Sequence, residues 1–218
     1  VAYIVGEKGF YESDFMVAAG VLIPRPETET LVEAALAVLA AAHADRPPLT
    51  VLELGTGSGA VIASLARALP GHRYLANDLS LAALDIARKN AGEIAGNHVA
   101  FFAGSWLEAV NRKPVFDLIV SNPPYIPTAD IQQLQPEISR FEPLLALDGG
   151  RDGLDAFRAI LKDARQCMVP GGTLLFEMGF DQRPGLELLF KQYGGDDTIE
   201  FIQDLSGHDR VVKIKKTN

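Results

Sequence analysis

Asn122, Pro123, Pro124 and Tyr125 stand directly after the apolar run Val115-Phe116-Asp117-Leu118-Ile119-Val120 and a serine. That run has the β-branched and aromatic residues of a buried parallel strand. Two prolines forbid both a continued ladder and a helix start, so the chain must leave the sheet extended and rigid. The exit carries a side-chain amide (Asn122), two proline carbonyls with no competing N–H, and an aromatic ring (Tyr125). In open α/β sheets, ligands bind at the C-terminal ends of the strands. Fixed acceptors beside a flat apolar wall suit a planar group bearing N–H donors, either a carboxamide or the amino group of a base.

A second constellation lies upstream, where Thr50-Val51-Leu52-Glu53-Leu54 reads as a strand and runs into Gly55-Thr56-Gly57-Ser58-Gly59-Ala60. Glycines there let backbone approach a ligand at the start of a helix. As G-x-G-x-x-A the loop fits a dinucleotide fingerprint, with Asp78, 21 residues beyond Gly57, where a ribose-binding acid is expected. As Glu53-x-Gly55-x-Gly57-x-Gly59 it resembles motif I of class I methyltransferases. The loop alone leaves NAD and S-adenosylmethionine open. Glu53 favours the second, because it would attract the ammonium of a methionine moiety and repel a pyrophosphate; its other reading is a cap on nearby N–H groups. The Asn122 corner also favours the second, having no role in hydride transfer.

The elements that must position these groups alternate along the chain. Tyr3 to Val17 read as a β-hairpin with a Gly-containing turn, and Val21-Leu22-Ile23 as the end of a strand. Pro26 opens a helix whose start is complemented by Glu27 and Glu29 and whose alanine-rich run extends to Ala44, where Arg46-Pro47-Pro48 breaks it. Further strands are expected at 73–76 (ending at Asn77-Asp78), 99–103, 116–120, 173–178, 198–202 and 210–214. Helices are expected at 60–69, from an N-cap at Ser80 to about 94, at 154–168 and at 182–193. The stretch 123–151 reads as irregular and Pro170-Gly171-Gly172 as a turn. Only Asp204 to Asp209 separates the last two strands, too short for a helical crossover, so they should be antiparallel. The fold class is therefore α/β: a doubly wound, mostly parallel sheet of seven strands, with an antiparallel C-terminal strand and an N-terminal β-hairpin. Residues 1–24 fall to the hairpin and its linker, 25–218 to the catalytic domain.

Composition bounds the chemistry. At 218 residues one domain with a full core is expected, and 48% hydrophobic against 22% charged residues is ordinary for a globular protein. A balance of 20 basic against 28 acidic residues, net −8, argues against a polyphosphate partner. The only basic run, Lys213-Ile214-Lys215-Lys216, reads as a solvated strand end. The single Cys167 excludes a disulfide framework and is expected to be buried. His43, His72, His98 and His208 lack ligand spacing, so no metal is expected. The alanine-rich run from Leu31 is too short to span a bilayer and no leader opens the chain, so a cytoplasmic enzyme is expected.

Asn122-Pro123-Pro124-Tyr125 resembles motif IV of methyltransferases that alkylate an amino group conjugated to a planar system. Two branches share it: nucleic-acid adenine-N6 methyltransferases and the glutamine-N5 methyltransferases of translation release factors, the HemK/PrmC family. Leu22-Ile23-Pro24-Arg25-Pro26-Glu27-Thr28-Glu29, Arg140-Phe141-Glu142-Pro143-Leu144-Leu145-Ala146-Leu147 and Glu177-Met178-Gly179 resemble signature segments of the second branch. That resemblance covers essentially the whole chain and implies a Rossmann-like fold, although the small N-terminal helical domain usual in the family is not in this sequence. It implies S-adenosylmethionine as cofactor, with S-adenosylhomocysteine as product, and release factors as protein substrates, methylated on the glutamine of a Gly-Gly-Gln tip. It further implies that Glu53 and Gly55, Thr56, Gly57, Ser58 and Gly59 hold the methionine part, that Asp78 holds the ribose, and that Trp106 flanks the adenine. Ser105 stands where the family often has an acid. Arg25, Glu27 and Thr28 would line the cofactor mouth, helix capping being the other reading of the latter two. Asn122 and Pro123 would accept the substrate amide, with Pro124 and Tyr125 around it. Glu177 would face the site or serve as a carboxylate of the fold. No nucleic acid or membrane partner is implied, and a monomer suffices. The alternatives are an adenine-N6 methyltransferase, or a cofactor-binding fragment that cannot dock its target.

Overall fold

The computed structural model describes residues 1–41 and 47–217. Helix α1 (Ala2–Val5) is a single turn ended by Gly6 in the left-handed conformation. The hairpin β1 (Glu7–Phe10) and β2 (Ser13–Met16) follows, then α2 (Glu29–Ala40). Next come β3 (Thr50–Leu54), α3 (Ala60–Ala68), β4 (Arg73–Asp78), α4 (Leu81–Ala95), β5 (Val99–Ala103) and β6 (Phe116–Ser121). Short α5 (Pro136–Ser139), α6 (Asp155–Cys167), β7 (Met168–Glu177), α7 (Arg183–Tyr193), β8 (Thr198–Gln203) and β9 (Asp209–Lys215) complete the described elements.

Seven strands form one sheet in the order β5-β4-β3-β6-β7-β9-β8, and every pairing is parallel except the two made by β9. The chain builds outward from β3 in one direction and from β6 in the other, so the topological switch point lies between them. Leu54 stands opposite Ser121 in the register, and Ser121 Oγ donates to the Leu54 carbonyl at 2.8 Å. The glycine loop and the proline corner therefore leave the sheet side by side.

Alternation along the strands sends Val51, Leu118 and Val120 to the face covered by α2, α3 and α4. Leu52, Leu54 and Ile119 point to the other face, covered by α6 and α7. With both faces covered, the central strands need apolar residues at nearly every position, which is the pattern the sequence shows. Phe157 of α6 meets Phe176 of β7 edge to face, with ring centroids 5.4 Å apart. Cys167 is fully buried, as expected. The hairpin packs Phe10 and Phe15 into the first core, and Asn90 of α4 ties it down by accepting from Met16 N and donating to Met16 O and Ser58 O.

Several local expectations are corrected. Tyr3-Ile4-Val5 belong to the helical turn α1, and the hairpin reverses at Tyr11-Glu12 without a glycine; Tyr11 itself takes φ 52°. Val21 to Ile23 form no strand, because the Tyr3 hydroxyl bonds the Val21 carbonyl and the segment runs as a strap. The stretch 123–151 holds short helical turns at Thr128–Gln133, Pro136–Ser139 and Leu144–Ala146. Pro170 to Gly172 lie within β7, where the register shifts opposite β6 and Lys216 bonds Gly171 and Gly172. Helix α2 ends at Ala40, with Ala41 as its C-cap, while the expected continuation to Ala44, the break at Arg46 and His43 lie outside the described residues. No helix among the described residues is long and apolar enough to cross a membrane.

Candidate active site

A cavity of about 510 Å³ opens at the switch point, within the usual range for a cofactor-sized ligand. Its floor is the loop from β3 to α3. Gly57 adopts φ 56°, and nothing lies within 4 Å of where its Cβ would be, so the backbone faces open space. Gly59 has another task. It adopts φ 78°, and a Cβ there would meet the Cα and Cβ of Ala87 at 3.0 Å, so the missing side chain lets α3 start tight against α4. The Asp78 carboxylate fixes the loop by accepting from Gly57 N at 2.9 Å and Ser80 N at 2.8 Å, and it lines the cavity.

Glu53 is only 3% exposed yet lines this cavity. One carboxylate oxygen accepts from the Thr56 hydroxyl and from Ile62 N, while the other accepts no bond among the described residues. Burial pushes its pKa up to about 8, against the pull of the Thr56 and Ile62 hydrogen bonds, and the nearby Asp78 adds to the rise. A buried acid held this way is short of positive charge. Trp106 adopts φ 45°, its carbonyl held by Asn77 Nδ2 at 2.6 Å, and its ring lies 3.2 Å from where a Gly55 Cβ would be. A carboxylate wanting a cation, an acid for hydroxyls and a flat apolar wall together fit S-adenosylmethionine. Thr56, Ser58 and Ser105 complete this side of the lining.

The proline corner lines the same cavity through Asn122 and Pro124. Asn122 Nδ2 donates to Thr28 Oγ1 at 3.2 Å, and Oδ1 accepts nothing among the described residues. The sequence reading's acceptor thus keeps its capacity. Pro123 is buried, Tyr125 is half-buried, and neither lines the cavity. The Tyr125 hydroxyl donates to Glu177 at 3.1 Å, and burial with the Glu177 charge drives its pKa upward. Glu177 is 1% exposed and sits behind Tyr125, outside the cavity. Its pKa is raised by burial, against the pull of the Thr28 and Tyr125 hydroxyls and of Arg210.

Arg25 and Thr28 are among the residues that line the cavity, whereas Glu27 is exposed and does not line it. The turn Pro26–Thr28 points Thr28 inward and leaves Glu27 to solvent. Sequence reasoning assigned no role to Glu142, which is buried and pairs with Arg25; opposite charges in two signature segments were the available signal. It also missed Leu22, Leu79 and Leu145, apolar residues of segments without regular periodicity that line the same cavity.

Residues 51–142 match a family described as a methyltransferase domain. The release factor glutamine methyltransferase of Xylella fastidiosa strain 9a5c is 46% identical over 211 residues, covering 97% of this chain and 74% of the relative. That of Caulobacter vibrioides is 40% identical over 213 residues, covering 97% and 72%. Among solved structures, the release factor-specific protein-(glutamine-N5) methyltransferase of Alicyclobacillus acidocaldarius superposes with a TM-score of 0.55 at 28% identity, covering 94% of this chain and all of that one.

Proposed function

The chain belongs to the release factor glutamine methyltransferases, and from that premise we propose how its own residues carry out the reaction. The enzyme transfers a methyl group to the side-chain amide nitrogen (N5) of a glutamine in a peptide chain release factor. In this reading the glutamine is that of a Gly-Gly-Gln tip. S-adenosylmethionine, when bound, supplies a methyl group activated by its sulfonium. Glu53 would hold the cofactor's ammonium, Asp78 its ribose, and Trp106 with Ser105 its adenine, with the loop from Gly55 to Gly59 beneath them; Glu53, Asp78, Ser105 and Trp106 all line the cavity.

A carboxamide nitrogen is a weak nucleophile because its lone pair is delocalised into the carbonyl. Asn122 Oδ1 and the Pro123 carbonyl accept its two N–H bonds and stabilise positive charge as it grows on nitrogen. Rigid prolines hold that geometry without reorganisation, and orientation of this kind is worth on the order of 7–11 kcal/mol. The cation formed when the amide nitrogen takes the methyl group is strongly acidic and gives its proton to water, leaving the neutral N-methyl amide, so no dedicated base is required. Phe141, Leu144 and Leu145, all more than half exposed beside the mouth, offer apolar contact to a protein substrate. One chain carries every group named, so a monomer suffices, and a cytoplasmic location goes with this substrate.

The observation that carries the reading is Asn122, whose amide nitrogen is engaged by Thr28 while its oxygen accepts no bond among the described residues, in the cavity that Glu53 and Asp78 also line. The test is incubation with labelled S-adenosylmethionine and purified release factor, followed by mass mapping. Label on the glutamine of the Gly-Gly-Gln tip is expected. Label on adenine in added nucleic acid, or cofactor binding with no transfer, would overturn it.

A further inference from the structure

The corner from Asn122 to Tyr125 can aim its acceptors only if both of its ends are fixed. At the near end, Ser121 Oγ donates to the Leu54 carbonyl at 2.8 Å. At the far end stands Gln182, the residue that opens α7. Its Nε2 donates to the Tyr125 carbonyl at 2.9 Å and to the Gly153 carbonyl at 3.1 Å, while its Oε1 accepts from Gly179 N at 2.9 Å. Two carbonyls at one end and an N–H at the other fix which way this amide faces. A primary amide is the side chain that supplies two donors on one atom and an acceptor beside it. The backbone around it is tightly packed. A Cβ on Gly153 would stand 2.4 Å from the Tyr125 oxygen, and one on Gly149 would stand 2.8 Å from the Tyr125 Cα. Ile126 N donates to the Leu147 carbonyl at 3.0 Å, and Gly149 N to the Ile126 carbonyl at 2.8 Å, so residues 147–153 clasp the chain just past the corner.

We propose that Gln182 is a positioning residue for methyl transfer: by tying the Tyr125 and Gly153 carbonyls to one amide, it locks the proline corner against the 147–153 loop and sets the direction of Asn122 Oδ1 and the Pro123 carbonyl. This brace rests on the function proposed above and deepens it. Gln182 does not line the cavity, so it acts on the substrate only through Tyr125. Between Tyr125 and Asn122 stand only the two prolines, whose fixed φ angles leave few torsions to absorb a displacement. A shift at the Tyr125 carbonyl is therefore carried to Asn122. Without the Gln182 donors, two carbonyl oxygens would be left together with no proton between them, and their repulsion would move the corner as one rigid piece. The Tyr125 hydroxyl bond to Glu177, at 3.1 Å, holds the ring but leaves that carbonyl unpaired.

The test compares wild type with Q182M, which keeps the length of the side chain but no donor, and Q182E, which keeps the acceptor for Gly179 N and loses both donors. Each is assayed for kcat and KM on release factor between about pH 6 and 8, well below its melting temperature, and for S-adenosylmethionine affinity by calorimetry. The brace predicts kcat lowered about 10- to 100-fold in both variants at pH 8, the scale on which a misplacement of about 1 Å acts. KM and cofactor affinity should stay within about threefold. A carboxylate beside two carbonyl oxygens has a raised pKa, and once protonated it regains one donor. The deficit of Q182E relative to wild type should therefore shrink as pH falls, while that of Q182M stays constant. A fully active Q182M, a loss confined to KM, or a Q182E deficit that ignores pH would overturn the brace. If Q182M fails to fold, Q182E decides alone: a kcat deficit that narrows toward low pH supports the brace, and any other result refutes it. A wild type that methylates no release-factor glutamine, or a fully active N122A, would instead refute the reading of the corner beneath it.

Discussion

Burying a carboxylate costs free energy unless the site favours its charge, and Glu53 bears that cost beside an open cavity. Its pKa rises from 4.5 in an ordinary setting to about 8 in the fold. Between these values the native state holds a proton that the unfolded chain has lost. Its contribution to stability therefore falls as pH rises from about 4.5 to 8 and is constant beyond. E53Q is expected to gain in melting temperature relative to wild type across that window, as scanning calorimetry would record. A cationic ligand reverses the penalty. S-adenosylmethionine should bind wild type more tightly as pH approaches 8, with proton release visible as a buffer-dependent heat, and E53Q should bind it about 10- to 100-fold more weakly, the worth of one charge-assisted hydrogen bond. At Asn122 the expectation concerns rate: N122A should lower kcat by roughly 10²–10³ while leaving cofactor affinity near normal in the same titration. Glu53 and Asn122 were legible in the sequence because each adjoins a motif whose backbone fixes its direction. Glu177 and Glu27 were not, since a residue's place in a strand end or turn leaves open whether its side chain meets ligand, neighbour or solvent.

At the scale of elements, the site depends on one register. Leu54 opposite Ser121 brings a loop built for backbone contact beside a corner built for fixed acceptors. The alternating strands and helices announced this, because a βαβ chain with glycine and proline at two strand exits has few ways to fold. What escaped was local. Tyr3-Ile4-Val5 has strand-forming side chains, but Gly6 closes it after one helical turn, and at that length capping outweighs propensity. Pro170 to Gly172 carry turn residues yet stay in β7, because Lys216 on the neighbouring segment bonds both Gly171 and Gly172. The loop glycines also divide by element. G57A should cost about 1–2 kcal/mol, the penalty of a left-handed alanine, and its methyl group should weaken cofactor binding. G59A bears the same penalty and also strikes the α4 backbone at Ala87, so urea unfolding should show it at least about 1 kcal/mol less stable than G57A. Equal stabilities would mean that Gly59 does not set the α3–α4 approach.

Over the whole molecule, the charge separates the two branches that share the proline corner. With net −8, the protein lacks the cationic surplus that holds a polyphosphate. It should not retain RNA or duplex DNA in filter binding even at about 50 mM salt, where phosphate contacts are strongest. The exposed apolar residues at the mouth suit a protein surface instead. That expectation rests on composition alone; the mouth was not readable in the sequence, since it is assembled from the strap near Val21, the turn at Thr28 and the segment around Leu145, which meet only in the fold. The most direct measurement is a crystal structure with S-adenosylhomocysteine and a release-factor peptide carrying the target glutamine. The account predicts the glutamine nitrogen within about 3.2 Å of both Asn122 Oδ1 and the Pro123 carbonyl, with Thr28 still holding Asn122 Nδ2. A glutamine bound away from that corner, or an Asn122 turned to offer its nitrogen, would contradict it.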